Sequence, residues 1–470
     1  MASKRDLVEA HSFNRSRLVT AFLSGAPGGR EVEPARYGRM LVGGVVLAGL
    51  LLAGAAVSGK LSQPVDKNWL DSGVMVVGKE SGSRFLPGDK RNGNAGTLFP
   101  VLNTASARLA YAGKDGTPLK VIYVPDDEIA KRPVGVTVGI PDAPDVLPGG
   151  SKLIDTGWTA CTNEQRGLTV RLASKPGAEA AANRAILVRG GADNALFVIA
   201  GSHRYPVARN SAGVDVLRSF ELDGTPAYPV SSAWLDLVTP GSPLKPFRIP
   251  GFGDPVKNPK DKLDTIGTPV SVDGRGYVLV DDGVLPLSDF AYALYKSAAE
   301  AHGLQEVHLN AGALTGINTI SSPSRRPYPA DWPRQSVTPF NGSAPCLLLR
   351  AGEDPEDVAS AVLARPTNDA ALAKRNDVVT DVQTGHGALV RATATGSATD
   401  STPLYLLDSL GTRYAVGSSA DPESTDYRPA TRRALGYRDV DPQAVPQAWV
   451  APFEDGPALL RSLGGKPATP

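Results

Sequence analysis

A run of uncharged residues, MLVGGVVLAGLLLAGAAVSG from Met40 to Gly59, constrains this chain more than any other stretch. Coiled as a helix it would be about 30 Å long, the thickness of the hydrocarbon layer of a bilayer. Arg39 and Lys60 bound it. A soluble helix of this length keeps polar residues on at least one face, and a cleaved signal places its apolar stretch much nearer the N-terminus. The expectation is a single membrane span. It divides the chain into a head over 1–39, a span over 40–59, a body over 60–460 and a tail over 461–470, whose GGKPATP ending reads as disordered.

The flanks leave orientation to the wider head. Arg30, Arg36 and Arg39 on one side balance Lys60, Lys67 and Lys79 on the other. The head as a whole adds Lys4, Arg5, Arg15 and Arg17, which suit an anionic cytoplasmic leaflet and put the body outside the cytoplasm. Within the head, residues 5–23 read as a short helix with Leu7, Val8, Leu18, Val19 and Phe22 mostly to one side, followed by a GAPGGREVEP linker. The 49 basic and 48 acidic residues cancel, which argues against nucleic acid as a partner. With 50 glycines and 40 prolines among many short apolar runs, the composition favours a mixed α+β, β-rich fold.

The body repeats itself. LFVIAGSHRYPV (Leu196 to Val207) and LYLLDSLGTRYAV (Leu404 to Val416) each hold an apolar run, a turn, an Arg-Tyr pair (Arg204-Tyr205, Arg413-Tyr414) and a closing valine. Downstream of each lies a tryptophan, Trp234 or Trp449, with a glycine seven residues later (Gly241, Gly456) and a leucine ten residues later (Leu244, Leu459). Two such copies imply approximate two-fold internal symmetry. Weaker hairpins occur over 276–288 and 74–87, the latter with Arg84-Phe85 read as the counterpart of Arg-Tyr. The four hairpins thus fall near 74–87, 195–207, 276–288 and 403–416. A helix is expected over Leu287 to Ala301, where Phe290, Ala291, Leu294 and Ala298 share a face.

Chemistry is sparse. Gly73, Gly78 and Lys79 have the spacing of a phosphate-binding loop, but Glu80 stands where magnesium needs a hydroxyl. Val74, Met75, Val76 and Val77 prefer a strand to a nest of amides, so the segment is better read as a hairpin. The histidines (His11, His203, His302, His308 and His386) form no metal-ligand spacing, and no nucleophile elbow occurs. Asp281 and Asp282 read as turn residues rather than calcium ligands. No catalytic, metal or cofactor residue is assigned, and ATP enters only through the Gly73–Lys79 alternative. Cys161 and Cys346 are the only cysteines. Outside the cytoplasm they would pair, closing a long loop worth about 5 kcal/mol at most; otherwise they are two separate buried thiols.

Several stretches carry a resemblance. The opening MASKRDLVEAHSFNRSRLVTAFLSG, the span after Pro34-Ala35-Arg36, GTLFPVLNTASARLAYAG (Gly96 to Gly113), GIPDAPDVLP (Gly139 to Pro148), WTAC at Cys161 and the Arg-Tyr and Trp units are together similar to the EccB component of type VII (ESX) secretion systems. The resemblance implies a plasma-membrane subunit with a cytoplasmic head, one span and an elongated extracytoplasmic body. Repeat domains of phage-lysin-like character would surround a central β-sheet tied by one disulfide. The implied partners are the FtsK/SpoIIIE-type ATPase component EccC, EccD, EccE, the mycosin protease and further copies of itself. The implied role is structural, in assembly of the export complex; ATP hydrolysis and peptidoglycan binding are the alternatives.

Overall fold

The computed structural model describes residues 3–24, 42–51, 66–88, 96–111, 119–260, 262–367, 377–394, 398–399 and 401–468. They fall into two units, 1–67 and 68–470. In the first, α1 spans Lys4–Ser24 and residues 42–51 are helical. The remainder of the Met40–Gly59 stretch and the GAPGGREVEP linker lie outside the described residues. No helix among the described residues is long and apolar enough to cross a membrane.

The second unit holds four copies of one motif, three strands, a helix and a parallel fourth strand, to which the second and fourth copies add a single helical turn and a fifth strand. Unit 1 holds β1 (Val74–Gly78), β2 (Arg84–Pro87), β3 (Leu98–Pro100), α2 (Thr104–Tyr111), β4 (Lys120–Val124) and α3 (Asp126–Ile129). The chain then lays down β5 (Thr159–Thr162), β6 (Leu168–Leu172) and β7 (Ala178–Ala180). Unit 2 follows with β8 (Arg184–Gly190), β9 (Ala195–Ala200), β10 (His203–Val207), α4 (Ser211–Ser219), β11 (Tyr228–Pro229), α5 (Ser232–Asp236) and β12 (Thr239–Pro240). A hairpin of β13 (Pro255–Lys260) and β14 (Leu263–Thr265) leads to unit 3: β15 (Pro269–Val272), β16 (Arg275–Val280), β17 (Gly283–Pro286), α6 (Asp289–Ala301) and β18 (Val307–Leu309). After β19 (Thr338–Pro339) come β20 (Cys346–Arg350), β21 (Ser360–Pro366) and β22 (Val378–Val382). Unit 4 closes the chain with β23 (Ala388–Thr393), β24 (Leu404–Leu407), β25 (Thr412–Ala415), α7 (Arg428–Ala434), β26 (Gln443–Pro446), α8 (Gln447–Val450), β27 (Glu454–Asp455) and a last helix, α9 (Arg461–Gly464).

In every unit the fourth strand runs parallel to the first, giving the order fourth-first-second-third. A fifth segment then pairs parallel with the third strand, as β12 with β10 and β27 with β25; in units 1 and 3 it is reduced to bridges at Val134, Val138 and Thr319. The helix between third and fourth strands is what permits that parallel return.

The units are nested. Strands β22-β6-β5-β20-β21-β7 form a central sheet from two separate stretches of chain, and units 2 and 3 are inserted between these halves. Cys161 on β5 and Cys346 on β20 stand directly opposite and are joined as a disulfide, with a separation of 185 residues. The bridge therefore closes the neck of the insertion. Units 2 and 4 are buried on both faces. In unit 2, Leu187 and Val198 join a core shared with unit 3, while Val188 and Ile199 join one shared with the central sheet and unit 4. In unit 4, Leu404 and Leu406 pack with Ala105 and Leu109 of unit 1, whereas Val390 and Leu407 face the central core. That alternation is the period of two a strand buried on both faces imposes. The helices follow the same pairing, α4 against α6 and α2 against α7.

Two expectations need correction. The 74–87 hairpin is the first and second strands of its unit, whereas those over 195–207, 276–288 and 403–416 are the second and third. Arg84-Phe85 therefore does not occupy the Arg-Tyr position. Arg84 lies on the second strand of its unit, paired with the first, whereas Arg204 and Arg413 lie on third strands. The tail over 461–468 is not disordered. It carries α9, whose Gly464 packs so tightly that a Cβ there would lie 2.7 Å from the Ala110 nitrogen. Beyond it, Gly139 N–H donates to the Lys466 carbonyl (3.0 Å) and Ala468 N–H to the Thr137 carbonyl (2.9 Å).

The constant tryptophan-to-glycine spacing has a packing cause. Gly241 and Gly456 donate their N–H groups to the carbonyls of Arg204 (2.8 Å) and Arg413 (2.9 Å), which lays each glycine on the adjacent tyrosine ring. A Cβ would come within 2.6 Å of the Tyr205 ring and 2.4 Å of the Tyr414 ring. Gly456→Ala and Gly241→Ala should each destabilise the body by about 2 kcal/mol, read as a lower urea midpoint at unchanged slope. Replacing both cysteines by serine should cost up to about 5 kcal/mol by the same measurement, since the cross-link then ceases to restrict the unfolded chain.

Candidate functional site

The residues that recur, Arg204, Tyr205 and Trp234 with Arg413, Tyr414 and Trp449, lie at the seams between units rather than in an open cleft. A buried indole needs an acceptor for its N–H. Trp234 donates to the Ala160 carbonyl on β5 (3.2 Å), tying unit 2 to the central sheet beside Cys161. Trp449 donates to the Leu237 carbonyl (3.0 Å), tying unit 4 to unit 2. Both side chains are fully buried, together with Trp158.

Each arginine braces its unit from outside. Arg413 holds Asp455 through two bonds (2.6 and 3.0 Å), donates to the Val450 carbonyl (2.9 Å) and lies over the Tyr405 ring. The bonds from Arg413 hold the Asp455 carboxyl below its ordinary range. Arg204 holds Asp236 by a single bond of 3.0 Å. The register explains the difference. Arg413 faces Asp455 across β25 and β27, but Arg204 faces Pro240 at the same place, so unit 2 recruits a carboxylate from α5 instead. Beside Arg204 this leaves a cavity of about 230 Å³ lined by Phe197, Arg204, Leu235, Asp236 and Gly241, below the usual size of a ligand pocket.

The tyrosines are anchored by their hydroxyls. Tyr205 donates to the Asp331 carbonyl (2.5 Å) and Tyr414 to the Asp408 carboxylate (3.1 Å). Burial, reinforced by Asp408, pushes the Tyr414 phenol up to about 12. Arg84 instead pairs with Asp145 (2.5 Å), a residue that also accepts the Thr104 N–H at the start of α2. Asp145, Asp236, Asp331, Asp408 and Asp455 escaped the sequence reading. The two copies reach their carboxylates from different offsets, so no shared spacing pointed to them.

Gly73, Gly78 and Lys79 form no cradle. Val74 to Gly78 is strand β1, paired on both sides. Gly78 N–H donates to the Ser83 carbonyl and Lys79 N–H to the Val124 carbonyl, both at 2.9 Å. The nearby Ser81 amide is taken by Asp126 (3.0 Å), and Glu80 accepts from the Asp126 amide (2.8 Å). Two carboxylates therefore occupy the turn, an unfavourable setting for phosphate. Among the described residues no cluster of histidine, cysteine and carboxylate side chains could hold a metal ion.

Comparison with known proteins gives these seams a context. A family model, "Type VII secretion system ESX-1, transport TM domain B" (EccB), matches residues 1–463. The ESX-2 secretion system ATPase EccB2 of Mycobacterium tuberculosis is 26% identical over 506 residues, covering 98% of this chain and 94% of the relative. The ESX-5 secretion system ATPase EccB5 of the same organism is 25% identical, over 92% of this chain and 87% of the relative. Among solved structures, the EccB3 dimer from the ESX-3 core complex superposes with a TM-score of 0.60 at 20% identity, covering 83% of this chain and 99% of that one. A chain of the intact ESX-5 inner membrane complex gives 0.59 at 20% identity, covering 100% and 97%. The likeness in fold and the match along nearly the whole length agree: this chain belongs to the EccB family of type VII secretion system components.

Proposed function

We propose that this chain is a structural subunit of an ESX secretion complex in the plasma membrane, with head and span as its anchor and the four-unit body outside the cytoplasm. Its solved relatives come from an ESX-5 inner membrane complex, a periplasmic assembly of that complex and an EccB3 dimer, and the same setting is read for this chain. EccC, EccD, EccE and the mycosin protease are the partners the reading names, with further copies of the chain. The observation that carries it is the buried Cys161–Cys346 bridge at the neck of the body, a cross-link that persists in an oxidising compartment. The uncharged Met40–Gly59 stretch supplies the anchor that keeps such a body at a membrane surface.

The relatives carry the word ATPase in their names. The reading assigns this chain no nucleotide site at Gly73–Lys79, because that segment spends its amides on strand pairing and sets Glu80 and Asp126 beside Lys79. Wall binding by the repeats also gains no support: the cavity at Arg204 is small, and its arginine is already paired.

Deleting the gene should abolish export of small helical-hairpin substrates, scored by blotting the culture medium; export at the normal level would refute the subunit role. The purified full-length chain should give the same ATP turnover before and after Lys79→Ala. A turnover that the substitution selectively removes would restore the enzymatic reading.

A further inference from the structure

Each repeat unit ends its sheet on the fourth strand, and the outer edge of that strand is treated differently in each. In unit 4 it is covered. Ala444 of β26 donates to the Pro355 carbonyl (3.1 Å) and accepts from the Ala359 N–H (2.8 Å), so a passing segment satisfies both of its groups. In unit 2 the outward position on β11 is Pro229, which has no N–H to offer. In unit 3 it shrinks to one residue, the exposed His308 of β18.

Unit 1 is the exception. Lys120 donates to the Gly73 carbonyl (3.1 Å), and Val124 accepts from Lys79 (2.9 Å), so Lys120, Ile122 and Val124 spend their backbone groups on β1. Val121 and Tyr123 face the other way, and no other strand among the described residues pairs with them. Their side chains are 43% and 62% exposed, while Ile122 and Val124 are buried. An open edge carrying exposed apolar side chains is a template for another strand unless something blocks it. β4 holds no proline, its one charge, Lys120, stands at its first residue, and no segment among the described residues covers it.

We infer that β4 is a self-association edge, which pairs antiparallel with β4 of a second copy of this chain about a two-fold axis at Ile122. The occupant follows from the strand itself. With the axis at Ile122, Val121 lies opposite the partner's Tyr123, and the reverse, so each pair exchanges two hydrogen bonds and every outward group is satisfied. The same register sets valine against tyrosine across the seam, a favourable cross-strand pair, and covers both exposed side chains. Charge agrees as well. Lys120 opens the strand and Asp126, Asp127 and Glu128 follow it, so antiparallel pairing brings the basic end of each copy beside the acidic end of the other. The result would be one continuous eight-stranded sheet, β3-β2-β1-β4 doubled through the axis. Such a contact is short, and it rests on the membrane reading above: chains anchored in one bilayer meet at high local concentration, which lets a small interface close.

The test uses two exposed substitutions in the full-length chain, Val121→Cys and Tyr123→Cys, against a background in which both native cysteines are already bridged. The opposed positions place their Cβ atoms roughly 5 Å apart, whereas each position and its own symmetry mate are about 8 Å apart. Mild oxidation of membranes holding both variants should therefore give a species of doubled mass, about tenfold more abundant than from either variant alone. No dimer from the mixture, an equal yield from the single variants, or capture of these thiols by a different protein would each overturn the inference. Export in the same cells is scored independently, so loss of this contact is distinguishable from failure of the subunit role.

Discussion

The pairing of β5 with β20 is the contact on which the rest of the body depends. It joins stretches of chain that lie far apart in sequence and sets Cys161 against Cys346. Everything between them, units 2 and 3, is held at this neck; everything outside it, units 1 and 4, must close around it. Trp158 on the approach to β5, Trp234 from unit 2 and Trp449 from unit 4 all sink into the core beneath this sheet. Two of the three spend their N–H on a carbonyl belonging to a neighbouring element. Loss of the neck would leave those hydrogen bonds and the shared apolar face without a common scaffold.

Repetition gives the body its economy, and divergence gives it its surfaces. One motif serves as an inner layer when both faces of its sheet are apolar, as in units 2 and 4, and as an outer layer when only one is covered. The fourth strand marks the difference most sharply, being covered in unit 4, blocked by Pro229 in unit 2 and open in unit 1. A duplicated motif that had to remain soluble on all its edges would need a proline, a charge or a cover at each; β4 has only Lys120 at its first residue, with no proline and, among the described residues, no cover.

Much of this was legible from residues alone. The recurring Gly and Leu positions answer a strict local demand: Gly241 and Gly456 lie against tyrosine rings, and Leu244 and Leu459 follow them into the core. The α6 helix was visible in its apolar stripe. The carboxylates that brace the arginines were not, since Asp236 and Asp455 reach equivalent arginines from unequal positions. The central sheet was hidden for a different reason. Its strands are three to seven residues long and come from two distant stretches, 159–180 and 346–382, so no local period signals their partnership. The tail was misjudged because its glycines look like breakers, whereas Gly464 is small in order to fit against α2.

The account stands on a body whose central cross-link forms outside the cytoplasm, and the oxidation state of two sulfur atoms tests it most directly. Cells would be quenched in acid, the protein unfolded and alkylated without reductant, and the mass of the fragments holding Cys161 and Cys346 measured. Linked fragments carrying no alkyl group are the expected result. Two separate fragments, each alkylated, would mean free thiols, an interior location for the body and a different architecture for its neck.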